Sequence, residues 1–99
     1  MTKVKICCIG SVAAGVSARE AGADAIGLVS EMPNGPGVIA EGLIAEIAKN
    51  LASTVTTVLL TSLTDPQDIA AQLRRCGTDT VQLVDRLDEG KLIGFMAAV

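Results

Sequence analysis

The side chains of this sequence best suited to chemistry are its three cysteines, Cys7, Cys8 and Cys76, because the chain contains no histidine. A thiolate can act as a nucleophile, a base or a metal ligand. The cysteines are odd in number and two are adjacent, so the usual spacings of a zinc site are missing. We therefore expect reduced thiols in a cytoplasmic protein that uses no metal and no cofactor.

A second candidate is the Gly35-Pro36-Gly37 turn, which precedes a predicted helix. The free amides at a helix N-terminus can receive a phosphate group. A simple connecting loop is the competing interpretation, and it is the one we favour. Arg74 and Arg75 are expected to belong to an ordinary charged surface.

Composition restricts the possible functions. The chain has 99 residues, 49% of them hydrophobic, with one aromatic residue and a net charge of −3. This describes a single domain over residues 1–99 with an aliphatic core. The acidic balance disfavours nucleic acid as a partner, and no apolar run reaches the roughly 20 residues of a membrane span.

Apolar runs and turn formers alternate along the chain and predict four βα units. The predicted strands cover residues 3–9, 25–30, 54–61 and 80–84, and the predicted helices cover residues 12–21, 39–51, 66–76 and 88–99. The strongest helix start is Asp65 followed by Pro66, with Gly77 as the stop. Strands that alternate with helices predict a parallel sheet with right-handed crossovers.

An internal repeat supports this division. Residues 22–29 (GADAIGLV) match residues 77–84 (GTDTVQLV) at Gly, Asp, Leu and Val. In the same alignment, Arg19 matches Arg74. The interval equals two βα units, as expected when a barrel is built from duplicated parts.

Period-two alternation sorts the strand residues into two faces. The face expected under the helices contains Val4, Ile6, Cys8, Ile26, Leu28, Val58, Leu60, Val81 and Leu83. The opposite face contains Lys5, Cys7, Ala25, Gly27, Val29, Thr57, Leu59, Thr61, Gln82 and Val84. The second set is smaller and more polar, which suits a barrel interior better than a second helix-covered face.

Several of these segments resemble the phosphoribosylanthranilate isomerase family. Positions 4–9 (VKICCI) resemble its first-strand motif VKICGI, positions 20–29 (EAGADAIGLV) resemble EAGADALGFV, and positions 81–83 resemble its VQL. Positions 86–99 resemble the family's last helix, which follows its eighth strand. The resemblance implies the first four units of a TIM barrel joined to that last helix.

The family catalyses an Amadori rearrangement of a phosphorylated sugar in tryptophan biosynthesis, which needs a base and an acid. The resemblance implies Cys7 as the general base; a small buried hydrophobe is the competing reading of this residue. The family's acid and phosphate loops belong to units absent here, and Cys8 replaces a family glycine. Asp85 is a speculative substitute acid, although a helix cap is the more ordinary role for it.

Three functions follow as hypotheses. The first is a half-barrel of four βα units that homodimerises through its inner sheet face and has little or no isomerase activity. The second is a dimeric barrel that binds a phosphorylated sugar and retains Amadori isomerase activity through Cys7. The third is a non-catalytic flavodoxin-like binding module, since βα units can also form an open sheet.

Overall fold

The computed structural model describes residues 3–32 and 37–84. Strands and helices alternate along them in the order β1 Lys5–Ile6, α1 Val12–Glu20, β2 Ala25–Val29, α2 Glu41–Leu51, β3 Thr56–Thr61, α3 Pro66–Cys76 and β4 Thr80–Leu83. This confirms the predicted alternation, while the helix predicted from Asp88 onward lies outside the described residues. None of the helices in the described part has the length and apolarity needed to cross a membrane.

The four strands form one parallel sheet in the order β1-β2-β3-β4. Each strand therefore pairs with the next strand in the chain. A barrel has this sequential order, whereas an open doubly wound sheet reverses its strand order at a switch point. The predicted α/β class with parallel βα units is confirmed, and the flavodoxin-like alternative is not favoured.

The helix ends follow the signals in the sequence. The Ser11 side chain accepts a hydrogen bond from the Ala14 amide at 3.0 Å and begins α1. Asp65 accepts from the amides of Gln67 and Asp68 at the start of α3, and Gly77 ends that helix with a left-handed φ of 68°. Side chains that satisfy the free amides and a glycine that adopts positive φ are the common solutions at helix ends.

The internal repeat corresponds to a recurring contact between strands. Asp24 lies just before β2, and its carboxylate accepts from the Val4 amide at 2.7 Å. Asp79 lies just before β4, and its carboxylate accepts from the Thr57 amide at 3.1 Å and from the Thr57 hydroxyl at 3.3 Å. In each half of the repeat, an aspartate therefore binds the amide at the start of the preceding strand.

The core lies between the helices and one face of the sheet. Its buried members come from the strands, from all three helices and from the connections between them: Ile9, Ala18, Ile26, Leu28, Ile44, Ile47, Ala48, Leu51, Val55, Leu59 and Cys76. Ile69 and Ala70 of α3 form a smaller cluster with Leu63, Val81 and Leu83. Burial of these aliphatic groups is the main force that holds the helices on the sheet.

The prediction of which β3 side chains face the helices is wrong. In the observed register Ile26 pairs with Thr57 and Leu28 pairs with Leu59, so Thr57, Leu59 and Thr61 lie on the helix-covered face and Val58 and Leu60 on the opposite, concave face. The threonine hydroxyls are satisfied there, because Thr57 hydrogen-bonds to Asp79 and Thr61 accepts from the Leu63 amide at 3.2 Å. A buried hydroxyl with a partner is tolerated in a core.

Candidate functional site

Cys7 follows directly after β1 and is exposed on the concave face of the sheet. A Cβ placed on Gly27 of β2 would lie 3.0 Å from the Cys7 sulfur and 3.1 Å from the Leu60 Cδ1. The missing side chain of Gly27 therefore provides the space that the thiol occupies. This position at the carboxyl end of β1 is where barrel enzymes place reacting groups, and the exposure of Cys7 argues against the buried hydrophobe reading.

Lys5 lies two residues before Cys7 on the same concave face. Its ammonium group donates a hydrogen bond to the side-chain oxygen of Gln82 on β4. Two strands separate β1 from β4, so this contact joins the two edge strands across one face of the sheet. A sheet that curves as in a barrel favours such a contact. The sequence prediction did not include Lys5 in the site, although its two-residue spacing from Cys7 indicates the shared face.

Cys8 adopts a left-handed backbone conformation with φ of 61°. A Cβ on Gly37 would lie only 2.8 Å from the Cys8 sulfur and 3.0 Å from the Cys8 Cα, so the two backbones approach closely. A left-handed conformation is unfavourable for a residue with a side chain, and glycine adopts it without that penalty. This explains in physical terms why the related first-strand motif carries glycine at this position.

We predict that Cys8→Gly is more stable than Cys8→Ala by about 1 kcal/mol, because alanine keeps the Cβ that disfavours positive φ. Both variants lose the thiol, so the difference between them measures the free-energy cost of a left-handed backbone conformation at a residue with a Cβ. Urea unfolding monitored by circular dichroism measures the difference. An alanine variant as stable as the glycine variant would show that the left-handed conformation carries no penalty here.

Cys76 has a different environment from the other two cysteines. It is the last residue of α3 and is buried in the core. Burial raises the pKa of its thiol to about 11. A buried thiol that stays protonated at neutral pH is a structural group, so Cys76 does not belong to the candidate site.

The raised pKa of Cys76 predicts a loss of stability at alkaline pH. Its ordinary pKa is 9.0 and its folded pKa is about 11, so the folded state favours the protonated thiol. The resulting stabilisation is complete below pH 9.0 and disappears as the pH rises through about 11. We expect the melting temperature to fall across this range, and to fall less in Cys76→Ala. Identical pH profiles for the two proteins would contradict this.

The remaining predicted site residues lie largely outside the described part of the chain. Asp85 lies outside the described residues, so its proposed role as an acid stays a prediction. Of the glycine-rich turn, only Gly37 is described. The helix that follows begins with Glu41, whose carboxylate in the first turn is unfavourable for a phosphate. Within residues 3–32 and 37–84, no group of three acidic, cysteine or histidine side chains is arranged to hold a metal ion.

The fold defines the class of this protein. A solved structure of phosphoribosyl anthranilate isomerase from Thermotoga maritima superimposes on the chain with a TM-score of 0.83 and 25% identity, covering 100% of this chain and 48% of that one. The chain is thus an α/β protein of the TIM-barrel class, and its described residues supply four parallel strands and three helices.

Within this class, the chain is similar in sequence to phosphoribosylanthranilate isomerases. It is 33% identical over 93 residues to N-(5'-phosphoribosyl)anthranilate isomerase of Haloarcula marismortui, covering 93% of this chain and 44% of the relative. It is 40% identical over 80 residues to the enzyme of that name from Alcanivorax borkumensis, covering 81% and 36%. The chain spans less than half the length of these curated relatives. No family model matches the chain.

Proposed function

We propose that this chain is a phosphoribosylanthranilate isomerase-like half-barrel that forms a homodimer and has little or no isomerase activity alone. The observation that carries the proposal is the placement of exposed apolar side chains at both edges of the sheet. Val4 and Ile6, at edge strand β1, are 49% and 36% exposed, and Val84, directly after edge strand β4, is 48% exposed. Apolar residues at open strand edges favour association.

A second copy would cover both of these edges in a barrel of eight strands. A twofold axis along the barrel axis would place β4 of one copy beside β1 of its partner, and all eight strands would stay parallel. Both open edges would then be paired, and the concave face would be enclosed. A cytoplasmic location goes with this proposal, as expected from the cysteine content.

The low activity follows from the groups that surround Cys7. A thiolate base needs an acid partner to complete an Amadori rearrangement. Among the described residues, the ionisable side chain on the same concave face is that of Lys5, which already donates to Gln82. The acid therefore depends on Asp85, and Glu41 opposes a phosphate site at the start of α2.

Sedimentation velocity at micromolar concentration tests the dimer. We expect the parent chain to sediment as a dimer and Val84→Lys to shift toward a monomer. Asn50→Lys is the matched control, because Asn50 is exposed in the last turn of α2, away from both edge strands. A folded parent chain that sediments as a monomer would remove the dimer from the proposal.

A dimeric barrel that retains Amadori isomerase activity is the second candidate, favoured by the exposed Cys7 sulfur over Gly27. The relatives are named for N-(5'-phosphoribosyl)anthranilate, so loss of its fluorescence is the assay. In this case Cys7→Ala should abolish turnover while Cys8→Ala, the neighbouring thiol, should not. Equal rates in the parent chain and Cys7→Ala would exclude Cys7 as the base.

A further inference from the structure

The hydrogen bond between Lys5 and Gln82 joins the two edge strands of the sheet. Lys5 belongs to β1 and Gln82 to β4, and both residues are exposed. An exposed hydrogen bond contributes little to stability, because water competes for the donor and the acceptor. The ammonium group of Lys5 and the amide oxygen of Gln82 can therefore exchange this bond for another of the same kind.

The register of the sheet places these two residues at different levels. Lys5 pairs with Ala25, and Ala25 pairs with Thr56 of β3. Gln82 pairs with Leu60, which lies four residues further along β3. Measured along the ladder, Gln82 is therefore four residues ahead of Lys5, toward the carboxyl ends of the strands.

A barrel made of two copies requires a stagger of the same size. An eight-stranded TIM barrel has a shear of about eight residues around its full circle, and a twofold axis assigns about four of them to each copy. The direction also agrees. With right-handed crossovers and right-handed coiling of the strands, a line across the ladder from β1 to β4 descends toward the amino ends. In the proposed dimer, Lys5 of one copy would therefore lie beside Gln82 of the other copy, on neighbouring strands.

The same stagger matches the apolar residues of the opposite face. Val4 and Ile6 of one copy, which are 49% and 36% exposed, would lie opposite Val81 and Leu83 of the other. Val81 and Leu83 are partly buried against the small cluster on α3. Apolar pairs on neighbouring strands stabilise a sheet, so the two copies would extend this cluster across each seam between β4 and β1.

We propose that each Lys5 in the dimer donates to Gln82 of the other copy instead of Gln82 of its own chain, and that these two bonds fix the stagger between the copies. This inference rests on the homodimer proposed above and names the residues that set its register. A second copy is the partner, because the donor and the acceptor lie on opposite edges of one sheet.

Mixing two complementary variants tests the exchange. Gln82→Lys places two lysines side by side at both seams, so we expect its self-association to weaken about tenfold. Addition of Lys5→Glu should restore association, because in the mixed dimer the new lysine faces the new glutamate at one seam and Lys5 faces Gln82 at the other. Sedimentation velocity of a fluorescently labelled Gln82→Lys chain, alone and in the mixture, measures both effects. Both residues are exposed, so the variants should fold, and circular dichroism verifies this.

Gln67→Lys is the matched control, since it makes the same chemical change at an exposed glutamine of α3, on the helix side of the sheet. It should sediment like the parent chain, and a loss equal to that of Gln82→Lys would reflect charge in general and would overturn the proposal. Unchanged self-association of Gln82→Lys would overturn it too.

The mixture separates this inference from the dimer itself. If the parent chain dimerises but Lys5→Glu does not restore association of Gln82→Lys, the bond stays within one chain and only the exchange is overturned. A parent chain that sediments as a folded monomer would overturn the exchange together with the proposed homodimer.

Discussion

Replacement of Leu59 by alanine is expected to lower the free energy of unfolding by about 3 kcal/mol, within the usual range for a buried leucine. Leu59 is fully buried in the core between the sheet and the helices. Its truncation removes apolar contacts and leaves a cavity that the surrounding aliphatic side chains only partly fill. Urea unfolding of both proteins measures the loss.

Leu60→Ala is the matched control, since it makes the same chemical change at the next residue of β3. Leu60 faces the concave side and is only partly buried. We expect a loss of about 1 kcal/mol, because part of the side chain already contacts solvent. Both variants should be measured at protein concentrations where their oligomeric states agree. A larger loss for Leu60 than for Leu59 would favour the face assignment that the sequence alone suggested.

Replacement of Asp79 by alanine is expected to cost about 2 kcal/mol, since it leaves a buried amide without an acceptor. The amide and the hydroxyl of Thr57 both donate to the Asp79 carboxylate, and Thr57 is fully buried. Asp79 is exposed, but Thr57 beneath it has no accessible surface, so the Thr57 amide depends on this carboxylate. Thermal unfolding followed by circular dichroism gives the comparison with the parent chain.

Asp24→Ala provides the control, because the repeat places Asp24 in the equivalent position before β2. The amide that it binds belongs to Val4, which is about half exposed. Water can satisfy that amide, so we expect a loss below about 1 kcal/mol. Equal losses in the two variants would show that burial of the amide does not decide the cost.

The local signals of the sequence were sufficient for the three described helices and the order of the described elements. Asp65, Pro66 and Gly77 marked the ends of α3, whose residues Ile69, Leu73 and Cys76 lie against the core. These features depend on the conformation of neighbouring residues, which the sequence encodes directly.

The faces of β3 could not be assigned in this way. Hydrophobicity placed Val58 and Leu60 under the helices and Thr57 and Thr61 inside the barrel. In the structure these side chains face the opposite sides of the sheet. The threonine hydroxyls find hydrogen-bond partners in the connections next to the strands, at Asp79 and Leu63. A contact between Thr57 and Asp79, 22 residues apart, leaves no local signal in the sequence.

The same limit applies to the sites. The exposure of Cys7 and the hydrogen bond from Lys5 to Gln82 depend on how the strands are arranged in the sheet. Gln72 and Arg75 contact Glu41 across more than 30 positions of sequence, which likewise leaves no local signal. The resemblance implied a role for Cys7, but it contained no information on these contacts between α2 and α3.

Because each strand pairs with its successor in the chain, folding can advance one βα unit at a time. Paired residues of neighbouring strands lie between 20 and 31 positions apart, so each closure costs a similar loss of chain entropy. The hydrogen bond from Lys5 to Gln82 spans 77 positions and can form only after the intermediate strands are in place. We therefore expect the curvature of the sheet to be among the last features acquired during folding.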